Sequence, residues 1–72
     1  MTLKDAVDIY NLLTEENTEV IIINPRNKEC IINKEGYLTD YKNNRVLKLT
    51  TEEYISTRWE TITTKKKNYL DF

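Results

Sequence analysis

Three turn signals cut the middle of the chain into short, nearly equal pieces: NPRN at 24–27, NKEG at 33–36 and KNNR at 42–45. They hold the only Pro and the only Gly of the 72 residues, and Asn fills the other special positions. Asn24 followed by Pro25 suits a type I or II turn, because the Pro ring fixes φ at the second position. Gly36 stands where a three-residue hairpin loop wants a left-handed residue. Asn43 and Asn44 suit a two-residue type I′ turn, since Asn tolerates positive φ. The intervening pieces are EVIIIN at 19–24, KECIIN at 28–33, YLTDY at 37–41 and RVLKL at 45–49. They are rich in Val, Ile, Leu and Tyr, as strands tend to be. Each gap is too short for a crossover between parallel strands, so the pairing must be antiparallel.

Helical signals flank this region. Thr2 and Asp5 have capping-box spacing, and the spacing predicts a helix over 2–16. At about 100° per residue, Leu3, Ala6, Val7, Ile9, Tyr10 and Leu13 fall on one arc, with Leu12 stranded among polar neighbours. Asn17 can end the helix in a left-handed conformation. Thr50 and Glu53 repeat the capping-box spacing before a short helix of about two turns. Trp59 to Thr64 alternates and is Thr-rich, which predicts a fifth strand. The expected fold is α+β: an N-terminal amphipathic helix packed on a five-stranded antiparallel meander sheet, with a short helix before the last strand. One domain is expected over 1–72, with 65–72 as a loose tail.

The first strand is apolar on both sides. Val20 and Ile22 point one way, Ile21 and Ile23 the other, and in the second strand Cys30 and Ile32 oppose Ile31. A half-solvated sheet alternates with polar residues, so cover on both faces is expected. The helix can cover one. The other needs the short helix, a second copy of the chain, or a sheet curled enough to fill itself. A domain of this size buries only about 60% of its unfolded surface and gains from outside support. Cys30 is alone and there is no His, which removes an internal disulfide and argues against zinc. A homo-oligomer is the expectation that follows.

Lys and Arg number 11 against 12 Asp and Glu, a net charge of −1. That balance offers no broad basic face, so nucleic acid is not an expected partner. The longest apolar run, VIII at 20–23, is far short of the roughly 20 residues that span a bilayer. A lone Cys without an export signal suggests the cytoplasm.

Catalytic constellations are hard to find. Glu15–Glu16 and Glu52–Glu53 are adjacent in helices and diverge by about 100°. Cys30 lacks a base to activate it and reads as a small buried hydrophobe. There is no Gly-rich phosphate loop, zinc pattern or Ser-centred elbow. The expectation is a non-enzymatic protein without cofactor or metal. The candidate ligand-binding residues are Tyr37 and Tyr41 on one strand face, Arg45 across the KNNR turn, and Arg26 at the first turn. Rings could stack on a base and Arg could meet a phosphate. The plainer reading is cross-strand packing of aromatic side chains. Trp59 reads as a core anchor locking the short helix to the last strand. The KKK run at 65–67 reads as a solvated tail.

The order of elements resembles a family of small phage-encoded proteins. The shared marks are the Ala-centred helix LKDAVDIYNLL and the closing pattern TTEEYISTRWETI at 50–62, chiefly Thr51, Glu53, Tyr54, Ile55, Trp59, Glu60 and Ile62. That family includes Thoeris anti-defence sponges, which capture cyclic ADP-ribose-type signals without cleaving them. The resemblance implies a phage or prophage accessory protein that acts by binding. Its partner would be a host or phage protein, or a nucleotide signal held at a subunit interface. The resemblance carries over the architecture and no ligand-contacting residue.

Overall fold

The computed structural model describes residues 1–66. The elements are α1 (Leu3–Glu15), β1 (Thr18–Ile23), β2 (Glu29–Ile32), β3 (Leu38–Asp40), α2 (Thr51–Ile55) and β4 (Glu60–Lys66). The four strands form one antiparallel sheet in the order β3-β2-β1-β4. The hairpins β1–β2–β3 are therefore a meander, and β4 returns to the far side of β1.

Capping starts both helices. The Thr2 hydroxyl accepts the Asp5 N–H at 3.2 Å. The second box closes in both directions: Thr50 accepts the Glu53 N–H, and the Glu53 carboxylate accepts the Thr50 N–H. Asn17 ends α1 at φ 61. The first two turns share one device. Asn24 Oδ1 accepts the N–H groups of Arg26 and Lys28, and Asn33 Oδ1 accepts those of Glu35 and Tyr37. Each turn then closes through a left-handed residue, Asn27 at φ 64 and Gly36 at φ 89.

Four expectations need correction. The segment 45–49 is not a strand: it makes one bridge, Thr39 to Val46, flanked by bonds from Asp40 N to Arg45 O and from Leu47 N to Leu38 O. The sheet thus has four strands rather than five. The reason is the partner's length, since β3 has three residues and continuing the register would set Leu49 against the Gly36 turn. The third turn is also wider than KNNR. Asp40 Oδ1 caps Lys42 N, the Asp40 carbonyl accepts Asn44 N, and of the two Asn residues only Asn44 is left-handed, at φ 57. The short helix spans five residues, fewer than two turns. Lys65 and Lys66 belong to β4, opposite Glu19 and Thr18, and not to a loose tail. The rest of that predicted tail, 67–72, lies outside the described residues.

The core lies between α1 and one face of the sheet. Ala6, Ile22, Cys30 and Trp59 are fully buried together, with Leu3, Tyr10, Ile32, Leu38, Leu47 and Leu49 packed around them. Trp59 donates its Nε1–H to the Glu53 carbonyl at 2.7 Å, which fastens α2 to the entrance of β4 as expected of an anchor. Its backbone N–H reaches the Met1 carbonyl at 3.0 Å, tying the start of α1 to the same place.

The apolar stretch 20–23 is absorbed differently from the expectation. Val20, Ile22 and Ile23 are all buried, and Ile21 is half-buried, within one chain. Ile23 points away from α1 and is sheltered in a hollow whose rim includes Asn27, Lys28, Glu29, Lys42 and Asn43, residues of the first and third turns. A second copy is not needed to cover residues 20–23. Exposed apolar surface lies elsewhere, at Val46, Ile62, Tyr37, Tyr41, Leu12, Tyr54 and Ile55.

Candidate functional site

The sheet has an open face and a fork. Register pairs Ile21 with Ile62, Ile31 with Thr39 and Thr39 with Val46. Extending the Ile22–Cys30 pairing by one position sets Ile21 against Ile31. These residues share the face opposite Ile22 and Cys30, because successive side chains alternate. The result is a stripe running Val46, Thr39, Ile31, Ile21, Ile62 across the whole sheet. Its ends are open, with Val46 56% and Ile62 46% exposed. Tyr54 and Ile55 of α2 are exposed as well, Ile55 at 74%.

The fork arises between β1 and β2. Their ladder pairs two positions, Ile22–Cys30 and Ile23–Glu29. The next bonded position would join Val20 to Ile32. Instead the Tyr10 hydroxyl of α1 donates to the Ile32 carbonyl at a long 3.4 Å. A helix side chain thus takes a place in the ladder, and the strands part around it. The gap is a cleft of about 340 Å³. Val20, Ile21 and Ile31 line it together with Tyr10 and Tyr41. Thr14, Asn17, Thr18 and Glu19 form the polar side, at the junction of α1 and β1. Among the described side chains no Lys or Arg lines it.

The four residues chosen from the sequence do not converge. Tyr41 reaches the cleft. Tyr37 is paired through its backbone to Asn33 at the other end of β3, about 13 Å of strand away at 3.3 Å per residue. Arg45 bonds through its carbonyl to Asp40. Arg26 faces α2, with its Nε 3.9 Å from the Glu53 carboxylate. Sequence reasoning missed Tyr10, Thr14, Ile21 and Ile31. Tyr10 lies on the apolar arc of α1, and nothing in that spacing says its hydroxyl enters a sheet.

The perturbed ionisable groups serve the fold. Burial, reinforced by the Asp40 charge, pushes the Cys30 thiol up to about 11, which makes it a poor nucleophile. The Glu53 carboxyl is held below its ordinary value, first by the Thr50 N–H. That of Asp40 is lowered first by the Lys42 N–H. Among the described residues no group of three or more His, Cys, Asp or Glu is placed to hold a metal ion, and no helix is long and apolar enough to cross a membrane. No protein-family model, curated protein or solved structure matches the chain.

Proposed function

We propose that this chain is a non-enzymatic binding protein whose working surface is the open sheet face, and that it associates through that face with a second copy of itself. The observation that carries the reading is the stripe from Val46 to Ile62. It crosses every strand, and although Thr39 in its middle is buried, Val46 and Ile62 at its ends stay exposed. Apolar surface of this kind marks association sites more often than it marks idle surface.

The face is a better candidate than the sheet edge. β4 is an edge strand, and edges invite pairing. Its second half carries an irregularity of register opposite Glu19 and Val20 and ends in two Lys residues. Bulges and edge Lys are the usual guards against edge-to-edge pairing. The lack of turnover is supported by the raised Cys30 thiol and by carboxylates spent on capping. Binding without turnover also fits the phage accessory setting implied by the family resemblance. Capture of a phosphate-bearing signal is supported less well, because Tyr37, Arg45 and Arg26 do not join Tyr41 at the cleft.

Light scattering across a concentration series tests the proposal. A mass above 8.6 kDa that rises with concentration, and reverts to monomer in Ile62→Lys, is the expected result. A wild-type monomer at hundreds of micromolar overturns self-association.

A further inference from the structure

We propose that the edge of β1 at the fork, from Thr18 to Val20, binds an extended polypeptide segment of a partner by adding it to the sheet. Register fixes which backbone groups take part. The Asn24 N–H donates to the Lys28 carbonyl at 3.0 Å, and Ile22 pairs with Cys30. The even-numbered residues of β1 therefore aim their N–H and C=O groups at β2. The odd-numbered ones, Ile21 and Ile23, serve β4 opposite Ile62 and Glu60, because bonded positions alternate along an antiparallel pair. Val20 and Thr18 continue the even series, and the β1–β2 ladder stops short of them.

Three observations make this edge a peptide site. The first is shelter. Val20 is 4% and Thr18 9% exposed, and backbone groups kept from water need partners. Ile32, which register would set against Val20, has its carbonyl met by the Tyr10 hydroxyl instead. The second is space. Thr18 and Val20 both line the cleft of about 340 Å³, which lies at the small end of ligand sites and limits a guest to a short segment. The third is the repeat. Positions two residues apart on a strand present N–H and C=O pairs about 6.6 Å apart, the period of another extended backbone. Main-chain bonds of this kind supply the affinity when a peptide joins a sheet edge. Ile21, Ile31 and Tyr41 also line the cleft and offer apolar contact to a side chain of the guest. The site asks for no charge on the guest, and this inference does not depend on self-association through the open face.

The test is amide chemical-shift titration and hydrogen exchange of the full chain with two probes. One is the blocked tripeptide acetyl-Val-Thr-Val-amide. The other is its analogue with both internal amide N–H groups replaced by ester oxygens. The two share side chains and differ in backbone donors. The expected result is saturable shifts at Thr18, Val20 and Ile31 with the tripeptide, with half-saturation on the order of 1 mM. The ester should bind at least about fivefold more weakly, the effect of one lost hydrogen bond. At saturation the Thr18 and Val20 amides should exchange about tenfold more slowly, while that of Ile21, opposite Ile62 on β4, keeps its rate. Repeating the titration on Ile62→Lys ensures that a second copy on the open face does not mask the cleft. Equal affinity for the ester would reduce the site to an apolar hollow and overturn the assignment. No saturable shift in either protein, or saturation without slowed exchange at Val20, overturns it too. Shifts at Thr18 and Val20 that follow the concentration of Ile62→Lys alone would assign the edge to a second copy, against a partner's segment.

Discussion

Glu53 is held from both ends of the residue. Its carboxylate closes the capping box on Thr50, and its carbonyl receives the indole N–H of Trp59. Its carboxyl pKa is depressed on folding, so the charged form contributes stability that is present above the ordinary carboxylate value. That stability is lost as pH falls through the lower, folded value. Asp40 acts with the same sign. Thermal melts should therefore weaken from about pH 5 to about pH 3. Glu53→Gln should melt lower than the wild type at neutral pH and close the gap in acid; a gap constant with pH would contradict the assignment. Cys30 yields a second prediction at this scale. A rise from 9.0 to about 11 lowers the thiolate fraction at pH 8 by about 100-fold. Iodoacetamide should label the folded chain at least that much more slowly than the chain in urea. Comparable rates would show that the thiol is neither buried nor raised.

Among the elements, what could be read from the sequence was what local chemistry decides. Thr2 and Thr50 cap as their spacing requires, and Asn17 and Gly36 take the left-handed turns that only such residues tolerate. A Cβ at Gly36 would meet no atom within 4 Å, so Gly36→Ala is a clean test of backbone strain. It should cost about 1–2 kcal/mol, a fall of roughly 4–8 °C in Tm for each kcal/mol in a domain of this size. Gly36→Asn should cost less. An equal loss for Asn and Ala would mean that φ at this turn is not the controlling quantity. What escaped the sequence was decided between elements. RVLKL has the composition of a strand, yet β3 is too short to pair with more than its start. EVIIIN promised a full ladder with KECIIN, yet a Tyr from α1 enters at Ile32 and parts the strands. Neither outcome is written in the periodicity of the segment concerned. The platform of Tyr37, Tyr41, Arg45 and Arg26 failed for a related reason. Sharing a face along a strand does not bring residues at its two ends to one point, and Arg26 already had Glu53 as a partner.

For the whole molecule, the balance turns on how little one short chain can bury. Among the described residues the core cluster is Ala6, Ile22, Cys30 and Trp59 with partly buried residues packed around it, while Val46 and Ile62 remain open on the far face. If that face closes on a second copy, folding and association are linked, and the dimer gains stability with protein concentration by mass action. Melting temperature should then rise as concentration is raised from about 5 to about 500 µM. Ile62→Lys separates this linkage from any change in the fold. Ile62 lies at the exposed end of the stripe, so a Lys there can hold its ammonium in water while its stem lies along Ile21. At low concentration the variant should melt within about 0.5 kcal/mol of wild type, as surface changes usually do. At high concentration it should fall behind, because a charge carried into an apolar interface has no partner there. A wild-type Tm independent of concentration, together with an unchanged Ile62→Lys, would mean that the stripe is simply the wet face of a self-sufficient monomer. The cleft at the fork would then be the better place to look for what the protein binds.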